Sequence, residues 1–169
     1  MQMPTPRRIL GIDPGLAITG YGVLEFALPR PIVCEAGIIR TADDDATDMA
    51  TKVLSVYNGL VEVIAQFKPE AMAVEQLYAH YDHPRTAILM GHARGVIFLA
   101  AAQQQIPVVS YASTHVKKIV TGNGRASKEQ VQRTIQSELR LATLPEPPDV
   151  ADALAVALCH YYQNKMRTS

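Results

Sequence analysis

Cysteine is scarce: the chain has only Cys34 and Cys159 in 169 residues, too few and too far apart for a disulfide framework, with no CxxC or Cys/His spacing for a zinc site. A reducing, cytoplasmic setting fits. Apolar residues make up 48% of the sequence, yet no apolar stretch is expected to reach membrane-spanning length, and no apolar h-region follows Arg7 and Arg8. A soluble, unexported protein is the expectation. Repeats, low-complexity tracts and interdomain linkers are missing too, and the length suits one domain, residues 1–169, with a substantial core. Net charge is also lacking, since 16 basic residues balance 16 acidic ones. That balance hides an asymmetry: residues 1–80 carry 6 basic and 10 acidic side chains, and residues 81–169 the reverse, 10 and 6. Between Arg85 and Arg140, eight basic residues face only Glu129 and Glu138. A basic segment beside an acidic one suits a polyanion held near a cation site, although a solvated helix face gives the same counts.

What is present is organised around Arg8 to Val23, RILGIDPGLAITGYGV. An apolar run ends on a carboxylate, Asp13, then turns at Pro14-Gly15. Pro is preset for the second position of a turn and Gly after it can take positive φ, so a strand, a turn and a second strand are expected. Gly20 to Ala27 and Ile32 to Arg40 are β-rich runs joined by Leu28-Pro29-Arg30-Pro31, which extends this into a meander. The acidic run Asp43 to Asp45 reads as a solvated loop, with Thr47 or Asp48 capping a helix over Met49 to Phe67. Ala71 to Glu75 is a short apolar run that again ends on an acid, a candidate parallel strand after a helical crossover. Thr86 to Gln104 is apolar nearly all round, as a buried helix should be, with Gly91 and Gly95 one turn apart and open to close backbone approach. A strand over Ile106 to Tyr111, a helix near Ser113 to Val120, a capping-box helix from Ser127 and a last helix from Asp149 to about Tyr162 complete the order. Such an order gives an α/β fold, a mixed sheet with helices packed on it.

Four acids stand out by position. Asp13 and Glu75 end apolar strands, and Asp149 and Asp152, spaced i, i+3, share one helical face. Ligand crevices lie beyond the carboxyl ends of parallel strands, so Asp13 and Glu75 meet there if their strands are neighbours. Taken singly, Asp149 reads equally as an N-cap, Glu75 as an exposed strand end and Asp152 as a first-turn acid favoured by the helix dipole. Together, four converging carboxylates call for a hard divalent cation, Mg²⁺ or Mn²⁺, and two such ions suit phosphodiester hydrolysis. Tyr78 and Tyr81 follow Glu75 and could stack on unpaired bases. His80 and His83 lack a third metal ligand and read as loop residues, and His115 and His160 carry no signal. Lys117, Lys118, Arg125 and Lys128 flank the glycine-bearing loop Thr121 to Arg125, a pattern that suits phosphate contacts and is equally that of surface lysines.

GIDPG with TGYGV, VEQ at Val74 to Gln76, ARG at Ala93 to Gly95 and DVADALA at Asp149 to Ala155 together make the chain resemble the RuvC family of Holliday-junction resolvases over nearly its whole length. DPG-like strands also occur in sugar kinases and actin-like ATPases, and the paired aspartates of the last helix separate the readings. The resemblance implies an RNase H-like fold, a five-stranded mixed sheet with helices on both faces. It also implies a homodimer that nicks two strands of like polarity across a four-way DNA junction in recombination and repair. The family's acidic tetrad falls on Asp13, Glu75, Asp149 and Asp152, holding two Mg²⁺ ions for which Mn²⁺ can substitute. Its junction-contacting aromatic falls on Tyr78, and its basic active-site residues on Lys117 and Lys128, with Arg125 as a further DNA contact. The dimer contact falls on the helix with Gly91 and Gly95. RuvAB branch-migration motors are partners the resemblance admits, with no motif in the chain speaking for them. Rival readings are an actin-like phosphotransferase, which needs a second phosphate-binding glycine turn, a non-catalytic junction-binding protein, and a YqgF-type RNA-processing nuclease.

Overall fold

The computed structural model describes residues 7–42, 46–77 and 82–166. At its centre, strand β1 (Arg8–Asp13) is buried on both faces. Strand residues alternate faces, and here the alternation separates two cores. Ile9 packs into one, while Leu10 and Ile12 pack into the other. β2 (Ile18–Glu25) and β3 (Ile32–Arg40) continue the sheet antiparallel on one side of β1. β4 (Ala71–Glu75) and β5 (Val108–Tyr111) continue it parallel on the other, in the order β3-β2-β1-β4-β5. The parallel steps require crossovers, and helices supply them. α1 (Met49–Phe67) and α2 (Pro84–Gln103) contribute Val56, Leu60 and Ile97 to the core with Leu10 and Ile12. α3 (Ser113–Thr121), α4 (Lys128–Glu138) and α5 (Pro148–Lys165) cover the opposite face with Ile9 and Ala73. The result is the expected mixed sheet with helices on both faces.

Local signals set the helix ends. Asp48 accepts the Thr51 N–H at 2.7 Å to start α1, and Lys68 closes it in the left-handed region ahead of Pro69. Ser127 and Gln130 make the reciprocal capping box of α4. The turn after β1 differs from expectation in its reason. Gly15 does not take a positive φ; it is small because a Cβ there would lie 2.1 Å from the Ile18 carbonyl oxygen.

α5 is the main core helix on its face, with Val150, Ala151 and every residue from Ala153 to Tyr161 buried. Its small residues let it lie directly on the sheet. A Cβ at Gly11 would fall 2.1 Å from the Ala153 carbonyl oxygen, and Gly22, paired with Gly11 across the strands, would put one 2.6 Å from Leu154 Cδ2. Helix and sheet therefore touch nearly backbone to backbone. Gly11→Ala should force α5 off the sheet, lowering the melting temperature by about 5–10 °C in differential scanning calorimetry, as overpacking of a well-filled core does.

α2 corrects one expectation. It is not buried all round: Ala93, Ile97, Ala100 and Ala101 form the covered stripe, while Ile88, Leu99 and Phe98 remain 62%, 50% and 36% exposed. Gly91 and Gly95 have nothing within 4 Å of a Cβ built on them. Periodicity reports which residues are apolar and not which are covered. α2 is also the one helix among the described residues that by length and composition could cross a membrane, with a mean hydropathy of 1.2 in its best window. It passes by length and composition only: Arg85, His92 and Arg94 interrupt the apolar run, and its stripe of Ala93, Ile97, Ala100 and Ala101 is packed in the core.

Candidate active site

The same alternation that divides the cores aims the acids. Asp13 follows Ile9 and Gly11 on the face that α5 covers, and Glu75 follows Ala73 on that face. The parallel register pairs Ile12 with Val74, so Asp13 and Glu75 come next, side by side at the carboxyl ends of neighbouring strands. Across the antiparallel step, Asp13 pairs with Gly20. A Cβ on Gly20 would lie 2.2 Å from the Asp149 carbonyl oxygen, so the absence of a side chain there seats the first turn of α5 beside Asp13. Asp149 is not the N-cap. That position is Pro147, with Pro148 opening the helix, which leaves the Asp149 carboxyl available to hydrogen-bond that of Asp13. Asp152, one turn on, lines a cleft of about 210 Å³ with Asp13, Glu75, Ser113, Lys117 and Lys128.

A larger concavity of about 830 Å³ lies between β3 and residues 141–146, and Glu146 is its only ionisable group. The smaller cleft carries the chemistry. Burial is the first cause that pushes Asp13 up to about 8, followed by the charges of Asp152, Asp149 and Glu75 and by the hydrogen bond with Asp149. Burial and then Asp152 push Glu75 upward, against the Ser113 hydroxyl bond and the charges of Lys117 and Lys128. Asp152 is likewise raised by burial and by Asp149, with Lys128 and Lys117 opposing. Two lysines are thus outweighed by four acids.

Among the described residues, no three acid, imidazole or thiol groups converge closely enough to cage an ion as they stand. The donor set is nevertheless all oxygen, half-buried and over-negative, which fits a hard divalent cation.

The structure thus brings together Asp13, Glu75, Asp149, Asp152, Lys117 and Lys128. It does not bring Arg125 into the cleft: that residue is exposed on the α3–α4 loop, where its backbone N–H donates to Asn123 Oδ1 at 2.9 Å. Tyr78, His80 and Tyr81 lie outside the described residues. Two cleft neighbours had no assigned role in the sequence. Ser113 holds the Glu75 carboxylate, and its signal was its place just beyond β5, the third carboxyl end of the parallel set. Arg94 donates to the Glu75 backbone carbonyl, and its only signal was membership of the ARG motif. His160, silent in the sequence, is buried and bonded to the Tyr111 hydroxyl at 2.7 Å.

The profile of the family described as crossover junction endodeoxyribonuclease RuvC matches residues 9–160. A protein of that name from Rhodopirellula baltica is 52% identical over 154 residues, 91% of this chain and 85% of that protein. Another from Desulforamulus reducens is 48% identical over 152 residues, 90% of this chain and 91% of that one. Among solved structures, Thermus thermophilus RuvC in complex with a Holliday junction substrate superposes with a TM-score of 0.87 at 31% identity, covering 96% of this chain and 97% of that one. Its profile match, its relatives and its fold agree with the strand-end and helix-borne acids, and the chain belongs to the RuvC family of crossover junction endodeoxyribonucleases.

Proposed function

We propose that this Holliday-junction resolvase hydrolyses DNA phosphodiesters in the cleft of Asp13, Glu75, Asp149 and Asp152, with Mg²⁺ as the ordinary metal and Mn²⁺ as a substitute. The observation that carries this reading is the set of half-buried carboxylates, Asp13, Glu75 and Asp152, raised by burial and by acidic neighbours and facing two lysines in one cleft. The four acids would hold the ions. When bound, a pair of such cations activates the attacking water and neutralises the leaving oxygen. The protein's own groups act around that centre. Ser113 orients the Glu75 carboxylate through its hydroxyl. Lys117 and Lys128 line the cleft where a phosphate enters, and they oppose the negative charge that builds on it during hydrolysis. Further out, Arg125 meets backbone phosphates from the exposed loop, and Tyr78 is the aromatic that stacks at the junction.

Cleavage assays with and without Mg²⁺ on a four-way junction, a linear duplex and a structured RNA test the reading. Paired nicks confined to the junction and to Mg²⁺ support it. Preferential cutting of the RNA would point instead to a YqgF-type activity.

We further infer a homodimer formed through α2. Its apolar face is uncovered, and Gly91 and Gly95 leave room for a second backbone. The two copies would present two clefts to the two strands of a junction. Leu99→Glu, placed on that face, should weaken self-association by about a hundredfold or more, read by light scattering across a dilution series, because it buries an unpaired charge.

A further inference from the structure

Behind the acids, the end of β4 is held by a residue that the proposed chemistry does not use. Pairing between β1 and β4 ends at Ile12 and Val74, one position short of Glu75. On the other side the strand stays anchored, since the Gln76 N–H donates to the Tyr111 carbonyl at 2.8 Å. The Glu75 carbonyl itself accepts a hydrogen bond from Arg94 Nη1, reaching over from α2. That guanidinium is fixed in turn: it lies 5.0 Å over the ring of Phe98, one turn further along α2. Arg94 is half-buried, and its charge bears on the Glu75 carboxylate as well as on the carbonyl. A planar fork clamped on a ring and aimed at a carbonyl is a rigid strut, which a flexible lysine would not reproduce.

We propose that Arg94 is a positioning residue for the cleft: steadied on Phe98, it pins the main chain at Glu75 and so sets how readily the Glu75 carboxylate takes up a divalent cation. The proposal rests on reading Glu75 as a metal-holding acid. Its geometry also links the outer face of α2 to the end of β4, because Phe98, partly exposed on that face, steadies the guanidinium that bonds the Glu75 carbonyl.

Titration of Mn²⁺ into DNA-free protein, followed by electron paramagnetic resonance, reads the effect without catalysis. Arg94→Met should weaken Mn²⁺ binding by about tenfold or more, the scale of a lost charge-assisted hydrogen bond, and raise the Mg²⁺ concentration for half-maximal cleavage in parallel. Junction binding in metal-free buffer should stay near wild type. Arg94→Lys should recover only part of the Mn²⁺ affinity. Wild-type Mn²⁺ affinity in Arg94→Met overturns the proposal, as does loss of metal-free junction binding in step with cleavage, which would make Arg94 a DNA contact. A role in folding alone would lower the melting temperature and leave the metal affinity of the folded protein unchanged. Should Arg94→Met not fold, Arg94→Lys and Phe98→Leu carry the same titration, and unchanged affinity in both rejects the strut. Glu75→Gln runs alongside: if it keeps both Mn²⁺ binding and cleavage, the reading of the site fails, whereas if it loses both while Arg94→Met behaves as wild type, only the strut fails.

Discussion

Asp13→Asn should abolish junction cleavage, by about a thousandfold or more, while leaving junction affinity within about threefold. The substitution keeps the shape of the side chain and its hydrogen bond with Asp149, and removes only the charge. Asp13 feels the charges of Asp152, Asp149 and Glu75, so on the proposed reading its loss would take away the ligand common to the whole set. On the proposed reading, phosphate binding would draw on other residues, chiefly Lys117, Lys128 and the basic segment around them, whose contribution is long-range and salt-dependent. Gel-shift and cleavage assays on one junction, at matched ionic strength, separate the two. Binding that falls together with cleavage would remove Asp13 from the metal role and assign it to the DNA surface or to folding.

Metal-free protein loses stability as pH rises from about 5 to about 8, and Mg²⁺ restores it at the upper end. The sign follows from the direction of the shifts. In the unfolded chain Asp13 ionises near the ordinary value of 3.8, and in the folded chain near 8, so the folded state binds the extra proton between those values. Protonation favours folding throughout that window, and the advantage is lost as pH rises through the folded value. Glu75 and Asp152, shifted the same way, steepen the loss. A fall in melting temperature on the order of 5 °C or more is expected in chelator between pH 5 and 8.5. A cation that binds only the folded cleft reverses the trend by mass action. Asp13→Asn should flatten the metal-free curve, since the group responsible no longer titrates. A melting temperature that instead climbs with pH in chelator would show that the acids are already paired with bases.

Much of this arrangement could be read from the chain. The two strands that end in acids, the i, i+3 aspartates and the capping box at Ser127 are local patterns, and local patterns survive folding. β3, β4 and α1 fall where their residues placed them, and β2 and β5 shift by two residues, at Ile18 and Val108, within the usual uncertainty of strand ends. What could not be read depends on contacts between distant segments. Nothing near Asp149 in sequence shows that Pro147 takes over the cap, or that Gly20 leaves space for its backbone. Arg94 reaches a carbonyl, a partner that every residue offers, so no residue type announces it. The glycines of α2 invite close approach, yet no backbone of this chain comes near them, and a sequence cannot say whether an approaching backbone belongs to the same molecule.

The direct contact of α5 with β1 also governs when activity can arise. Asp13 lies in the first strand and Asp149 and Asp152 in the last helix, so no local segment carries a working cleft. The acids meet only after the slowest class of event in folding, closure of contacts between remote parts of the chain. Because α5 supplies much of one core, any opening that frees it dismantles the fold and the cleft together. With the proposed site, partly folded and nascent chains should not cut nucleic acid, and hydrogen exchange in α5 should report the same opening free energy as loss of cleavage. The enzyme is armed by completing its fold.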